Sequence, residues 1–134
     1  MTVRTGIDVE SIEEIKDALA KFGDRYRRRL FSDPELEECE TNHEDMVHGL
    51  ALRFAAKEAV LKVIQPNDHI PPWRTIEIRL PHRGVPNVVL TGEAESLARK
   101  HGVGKMSLSV SLGRGFAIAT VVADVTRSDE NEHD

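Results

Sequence analysis

Residues 46–64 read MVHGLALRFAAKEAVLKVI, and the spacing of their apolar side chains predicts a helix over the whole stretch. On a helical wheel at about 100° per residue, one apolar stripe forms. It contains Val47, Leu50, Ala51, Phe54 and Leu61. Glu58 falls within this stripe, and Lys57 and Lys62 lie on its two flanks.

A carboxylate in an apolar stripe is costly to bury unless another group compensates its charge. One interpretation of Glu58 is structural: a buried Glu–Lys ion pair, or a stripe that ends at a solvent edge. The other is functional: a metal-binding or acid–base carboxylate that faces a cleft, with two lysines available for anionic groups of a ligand. The pattern of the helix alone leaves both interpretations open.

Over the whole chain, and with this helix as the third, the sequence predicts a strand, three helices, two strands, a helix and two strands. Ser11 and Glu14 form a capping-box pattern that starts the first helix, and Gly23 supplies a stop. The other elements are a strand at 3–9, a short helix opening at 32, strands at 75–80 and 87–90, a helix at 92–101, and strands at 106–112 and 116–124. This order predicts an α+β fold with a largely antiparallel sheet. We expect one domain over residues 1–125, followed by a disordered acidic tail at 126–134.

The composition argues against several classes of function. The chain has 134 residues and a net charge of −5, which disfavours general nucleic-acid binding. Its one cysteine, Cys39, excludes an internal disulfide framework and a cysteine-based zinc site. No stretch of signal-peptide type opens the chain and no apolar run is long enough to span a membrane, so we expect a cytoplasmic protein without a membrane partner.

Two further features concern ligands. Asp8 interrupts an apolar strand just before a helix, which is typical of a turn or capping aspartate but also of a functional carboxylate. Two carboxylates and a lysine, without a close His/Cys set, favour a hard cation such as Mg²⁺ shared with a phosphate. The stretch 16–29 carries six bases against two acids, which suits one acidic partner or, alternatively, is an ordinary solvated face.

Four segments resemble, in order, the motifs of the small single-domain 4′-phosphopantetheinyl transferases, the holo-acyl-carrier-protein synthases. The most specific is RFAAKEAVLK at 53–62. The others are GIDVESI at 6–12, RLFSDPEL at 29–36, and the stretch from Trp73 to Gly92 that contains IEI and GVP. The resemblance covers about residues 3–124 and implies this family's fold.

The resemblance also implies a reaction and a site. The family moves the 4′-phosphopantetheine arm of coenzyme A to a serine of an apo acyl carrier protein of fatty-acid or polyketide synthesis. Asp8 and Glu58 match the family's Mg²⁺-binding carboxylates, and Glu58 would help to remove the serine proton. Lys57 and Lys62 match lysines near the coenzyme A phosphates, and Lys62 would stabilise the leaving group.

The remaining implied roles lie elsewhere in the chain. Coenzyme A contacts are implied for Gly84 and Pro86, in a turn that lines the nucleotide site, and for Ser109 on the first strand of the last pair. The family forms homotrimers with ligand sites between subunits. Its first helix docks the carrier protein, for which the candidates here are Lys16, Lys21, Arg25 and Arg28. The apolar face through Ile12, Ile15, Leu19 and Phe22 is expected to point inward.

The chain departs from the family pattern at two places. Val110 occupies the position of a histidine that contacts coenzyme A phosphates, and the chain has Val63-Ile64-Gln65-Pro66 where the family usually has Ala-x-Gly with a loop glycine. An alternative function therefore stays open: a relative that binds carrier protein, coenzyme A or another pantetheine ligand without transferring the arm. An unrelated Mg²⁺-dependent enzyme and a structural oligomer are further alternatives.

Overall fold

The computed structural model describes residues 2–41, 46–67 and 69–126. The elements are β1 (Thr2–Ser11), α1 (Ile12–Leu30), α2 (Asp33–Thr41), α3 (Met46–Ile64), a 3₁₀ turn (Trp73–Thr75), β2 (Ile76–Arg79), β3 (Asn87–Leu90), α4 (Gly92–Lys100), β4 (Val103–Gly113) and β5 (Phe116–Val125). This order confirms the predicted α+β class. Except for Thr126, the tail predicted at 126–134 lies outside the described residues. No helix in the described ranges is long and apolar enough to cross a membrane.

The strands form two antiparallel sheets. The larger one has the order β1-β5-β4, and β2 and β3 form a separate pair. On the larger sheet, Asp8 lies opposite Ala119, which in turn lies opposite Val110, so all three side chains share the face toward α3. Buried alanines at positions 117, 119 and 123 of β5 line this face and allow α3 to approach closely.

Helix α3 has the predicted bounds, but its burial differs from the prediction. Ala55, Ala56, Ala59, Val60 and Val63 are fully buried although they lie outside the predicted stripe. The wheel assumes one buried face, whereas α3 packs on the large sheet and also on α1, α2 and β2. The helix is therefore enclosed on most sides, and the partly exposed Glu58 and exposed Lys62 mark its open side.

Helix α1 begins as predicted and bends where a stop was predicted. The Ser11 side chain accepts a hydrogen bond from the Glu14 backbone N–H at 3.2 Å. Gly23 has non-helical backbone angles (φ 71°, ψ −154°), and helical geometry then resumes as far as Leu30. The expectation that Phe22 points inward is wrong: it is 55% exposed and packs on Tyr26 instead. The inward-facing stripe of the first part of α1 ends at Leu19, and the helix bends at Gly23, directly after Phe22.

The carboxyl end of α3 is held by side chains from other elements. Arg4 Nη1 donates to the Val63 carbonyl at 2.8 Å, and His101 Nδ1 lies 2.7 Å from the Ile64 carbonyl oxygen. Gln65 then adopts a left-handed φ of 55°. This conformation favours glycine, the residue that the family pattern has near this position. The chain thus keeps a sharp end to α3 at the cost of local backbone strain.

Candidate functional site

Three carboxylates meet where β1 passes the open side of α3. Asp8 and Glu10 come from β1 and Glu58 comes from α3, and one oxygen of each lies within 4.8 Å of the others. All three side chains are partly buried. The structure thus brings together Asp8 and Glu58, the two predicted metal ligands, and adds Glu10. Sequence reasoning missed Glu10, although residues two apart on a strand share a face and Asp8 was already a candidate.

Lys62 lies beside this cluster. Its Nζ donates to Asp8 Oδ1 at 3.2 Å and also to the carbonyl of Ile7. Lys62 is 53% exposed and Asp8 only 11% exposed, so the ammonium lies between the buried carboxylate and solvent. The other oxygen, Asp8 Oδ2, is buried and makes no hydrogen bond in the described part of the chain. That oxygen is a donor atom left available for a cation.

Burial and the closeness of the three carboxylates raise the pKa values of Glu10 and Glu58. Burial raises the pKa of Glu10 to about 8, and the contact with Asp8 and the charges of Glu58 and Glu14 act in the same direction. Burial and the charge of Asp8 also raise the pKa of Glu58, while Lys62 opposes this shift. A divalent cation among these oxygens would offset the repulsion, and an all-oxygen donor set suits Mg²⁺. The residues present therefore fit a Mg²⁺ site.

A solvent-open cavity of about 450 Å³ borders the cluster. Glu58 and Lys62 form one wall, and the loop after α3 forms the other. The loop residues are Pro66, Asn67, His69 and Ile70. An anionic ligand in this cavity would meet the exposed Lys62 ammonium and the edge of the carboxylate cluster together.

Lys57 does not reach this cavity. Its side chain is fully buried, with Nζ 2.8 Å from Glu35 Oε1. Nζ also donates to the carbonyls of Trp73 at 2.8 Å and Ile76 at 2.6 Å. The expectation that Lys57 binds coenzyme A phosphates is corrected, because its ammonium is enclosed by acceptors from the protein itself. A buried Glu–Lys pair does exist, as one structural interpretation proposed, but its carboxylate is Glu35 rather than Glu58.

The other predicted coenzyme A residues lie apart from the carboxylate cluster within one chain. Gly84 and Pro86 lie in the turn between β2 and β3, on the smaller sheet. Ser109 is exposed on β4 and pairs with Thr120, on the sheet face that points away from α3. Val110 shares the face of Asp8 but lies two strands away, about 10 Å at ordinary strand spacing.

The four predicted docking residues are all exposed on α1. They are Lys16, Lys21, Arg25 and Arg28. Arg28 Nε lies 3.2 Å from Asp24 Oδ2, and Lys21 Nζ lies 5.3 Å from the centre of the exposed Phe22 ring. The outer side of α1 therefore combines positive charge with one exposed aromatic side chain.

Comparison with known proteins assigns the family. The model of the 4′-phosphopantetheinyl transferase superfamily matches residues 4–121. The holo-[acyl-carrier-protein] synthase of Dehalococcoides mccartyi (strain CBDB1) is 40% identical over 119 residues, which are 89% of this chain and 96% of the relative.

Two solved structures support the same assignment. The holo-[acyl-carrier-protein] synthase of Neisseria meningitidis superposes with a TM-score of 0.76 at 32% identity, over 90% of this chain and 96% of that one. The Helicobacter pylori enzyme in complex with coenzyme A gives a TM-score of 0.75 at 27% identity, over 90% of this chain and 100% of that one. The match of the family model and the similarity of these relatives show that the chain belongs to the 4′-phosphopantetheinyl transferase superfamily.

Proposed function

We propose that this protein transfers the 4′-phosphopantetheine arm of coenzyme A to a serine hydroxyl of an apo acyl carrier protein, with Mg²⁺ as cofactor. The observation that carries the proposal is the cluster of Asp8, Glu10 and Glu58 beside Lys62, at the mouth of a cavity. The names of the relatives and the coenzyme A complex of a family member agree with it.

Asp8 and Glu58 would hold the metal, and Glu10 would supply a third oxygen. The partnerless Asp8 Oδ2 supports this assignment. When bound, Mg²⁺ would supply positive charge against the coenzyme A diphosphate. This charge would add to that of Lys62, the only one of the two predicted lysines whose ammonium reaches the cavity.

Two side chains would act on the reacting groups, Glu58 on the carrier serine and Lys62 on the leaving group. Glu58 accepts the proton of the carrier serine, a role favoured by the burial that raises its pKa. The serine oxygen forms a bond to the phosphorus that carries the pantetheine arm, and the bond from that phosphorus to the bridging oxygen breaks. Adenosine 3′,5′-bisphosphate leaves with the bond's electron pair, and Lys62 donates hydrogen bonds to its phosphate.

The variant Glu58→Gln tests this assignment because it keeps the shape of the side chain and removes its charge. We expect at least about a 100-fold loss of transfer rate, since both a metal ligand and the proton acceptor are lost. The measurement is the mass added to apo carrier protein in the presence of coenzyme A and Mg²⁺. The control Glu95→Gln changes an exposed carboxylate on α4 and should transfer like the parent. Equal rates for Glu58→Gln and the parent would contradict the proposal.

The second candidate function is binding without transfer. It is favoured by Val110, which puts an apolar side chain where the family carries a phosphate-contacting histidine, and by the strained Gln65. The same mass measurement separates the two functions. If the parent chain binds coenzyme A by calorimetry but adds no mass to any apo carrier protein tested, the second candidate replaces the first.

We further propose a homotrimer that assembles through the outer face of the large sheet. Apolar side chains on this face are 40–58% exposed, an unusually apolar surface for an isolated domain. They are Val3, Ile7, Val9, Phe116 and Val122. Ser109 lies on the same face, so assembly would bring it close to a neighbouring subunit, where the resemblance places the ligand sites.

Light scattering tests the assembly. We expect a mass of about three 15.0 kDa chains for the parent and a smaller mass for Ile7→Asp, because each copy would bury a charge in an apolar contact. The control Phe22→Asp places the same charge on α1, outside the sheet face, and should keep the parent mass. A parent that scatters as a single chain at micromolar concentration would contradict the trimer.

We also propose that the exposed cations of α1 receive an acidic helix of the carrier protein, with Phe22 as an apolar contact within the charged surface. Lys16, Lys21, Arg25 and Arg28 all lie on the solvent side of this helix. Charges at the edge of an interface mainly speed the encounter of the two proteins, and salt at 0.1 M screens their attraction beyond about 10 Å. Carrier binding should therefore weaken as salt is raised.

The double charge reversal Arg25→Glu/Arg28→Glu should weaken carrier binding and leave coenzyme A binding nearly unchanged, as measured by calorimetry. The control Arg99→Glu/Lys100→Glu makes the same change of charge on α4. If the control weakens carrier binding equally, overall charge rather than docking on α1 is responsible. If the α1 variant binds carrier protein like the parent, this face is an ordinary solvated surface.

A further inference from the structure

Three consecutive residues of α3 contact three different parts of the protein. Lys57 points into the buried network around Glu35, and Glu58 points to the carboxylates of β1. The backbone carbonyl of Ala59 faces Gly6 so closely that a Cβ on Gly6 would lie 2.3 Å from its oxygen. Because successive helical residues point about 100° apart, the direction of Glu58 depends on how α3 is turned about its axis.

Glu35 is the centre of the buried network. Its Oε1 accepts from the Ser32 backbone N–H at 2.8 Å and lies 2.8 Å from Lys57 Nζ. Its Oε2 accepts from the backbone N–H of Ile78 at 2.8 Å. One carboxylate thus joins the start of α2, strand β2 and helix α3, and neither Glu35 nor Lys57 has exposed side-chain surface.

A buried ion pair is by itself weak evidence of a net contribution to folding stability. Buried ion pairs can often be replaced by apolar residues of similar volume without loss of stability, because the desolvation of both charges offsets much of their attraction. An ion pair with fixed hydrogen bonds holds its two side chains in one orientation, whereas apolar side chains can shift or change rotamer at small cost. Here the ammonium is held by three acceptors, from Glu35, Trp73 and Ile76.

We infer that Glu35 is a positioning residue for Glu58: by holding Lys57, it fixes the rotation of α3 that turns Glu58 toward Asp8 and Glu10. The functional part of this inference rests on the proposed metal site. A side chain extends about 6 Å from a helix axis, so a 20° turn of α3 would displace the Glu58 carboxylate by about 2 Å. Metal sites tolerate displacements of only about 0.5 Å.

The test replaces the ion pair by apolar residues, Glu35→Leu/Lys57→Met, in the full chain. We expect this variant to unfold cooperatively, at a lower denaturant midpoint than the parent, because the backbone N–H groups of Ser32 and Ile78 lose their acceptor. It should bind Mn²⁺ about 10-fold more weakly by electron paramagnetic resonance, within the range seen when groups that orient metal ligands are lost. Its crystal structure should show the carboxylates of Asp8 and Glu58 further apart than in the parent. The control Val60→Ala loosens the fully buried side of α3 without touching the ion pair.

Each outcome decides one question. Weaker Mn²⁺ binding with displaced Glu58 in the double variant, and parent-like binding in Val60→Ala, supports the inference. An unchanged separation of the two carboxylates overturns it, as does equal weakening in Val60→Ala, which would indicate general loosening of the helix. If the parent itself binds no Mn²⁺, the proposed metal site fails, while the separation in the crystal structure still decides whether Glu35 orients Glu58.

Discussion

Replacing Lys57 by methionine is expected to lower the free energy of unfolding by about 3–5 kcal/mol, the usual cost of removing one partner of a buried ion pair. Methionine fills much of the same volume, so the loss arises mainly from Glu35, whose carboxylate stays fully buried without its cation. The carbonyls of Trp73 and Ile76 lose their donor as well. For a domain whose total stability is about 5–15 kcal/mol, this is a large fraction.

Urea unfolding measures this loss, and a second substitution identifies its cause. Adding Glu35→Leu to Lys57→Met removes the unpaired carboxylate and should restore the part of the stability that is lost to its buried charge. Arg28→Met serves as the control, because it removes one partner of an exposed pair with Asp24 and should cost at most about 1 kcal/mol. A Lys57→Met variant no less stable than Arg28→Met would show that the Glu35–Lys57 pair contributes little.

The second large effect is expected from Gly6→Ala. The added Cβ would lie 2.3 Å from the Ala59 carbonyl oxygen and 3.2 Å from Lys62 Cβ. The closest atom belongs to the backbone of a helix enclosed on most sides, so α3 and β1 must separate. Forcing extra volume into a packed contact of this kind costs about 1–3 kcal/mol. Because Asp8 and Glu58 lie on either side of this contact, their separation should increase and Mg²⁺-dependent transfer should fall together with stability.

Denaturant unfolding and the carrier mass measurement check both parts. Gly113→Ala is the matched control on the same sheet, since the nearest atom to its added Cβ is Ile118 Cδ1 at 3.9 Å, an ordinary contact. It should stay within about 0.5 kcal/mol of the parent. If Gly6→Ala matches Gly113→Ala in both stability and transfer, the close approach of α3 to β1 has no part in the site.

The sequence predicted those features of the fold that depend on local chemistry. Helix α3 and strand β3 have the predicted bounds, and Ser11 caps α1 as its spacing with Glu14 indicates. Asp8 and Glu58 come together as the resemblance implied. The helix, the strand and the cap rest on patterns within a few residues, whereas the meeting of Asp8 and Glu58, 50 positions apart, was implied only by the family resemblance.

The features that the sequence did not predict depend on contacts between distant segments. A helical wheel gives the direction of Lys57 but not its partner, and Glu35 lies 22 positions earlier on another helix. Phe22 has helical spacing with Leu19, yet the bend at Gly23 leaves it exposed. Glu10 was missed because the predicted strand ended at residue 9, whereas β1 continues to Ser11 and its alternation places Glu10 on the face of Asp8.

Even-numbered residues of β1 face α3, and odd-numbered residues face the outer surface of the sheet. The register of β1 therefore decides which side chains enter the site. Asp8 and Glu10 face α3, while Val3, Ile7 and Val9 form the outer surface of the sheet. Sliding β1 by one position along β5 would exchange the two sets and place apolar side chains in the site and charges on the outer surface. A slip by one position would bring Thr5 or Ile7 to the place that Gly6 occupies beside Ala59. The side chain of either residue would collide there with the backbone of α3. A residue without a side chain thus selects against the misregistered alternative, as well as allowing the close packing of the native one.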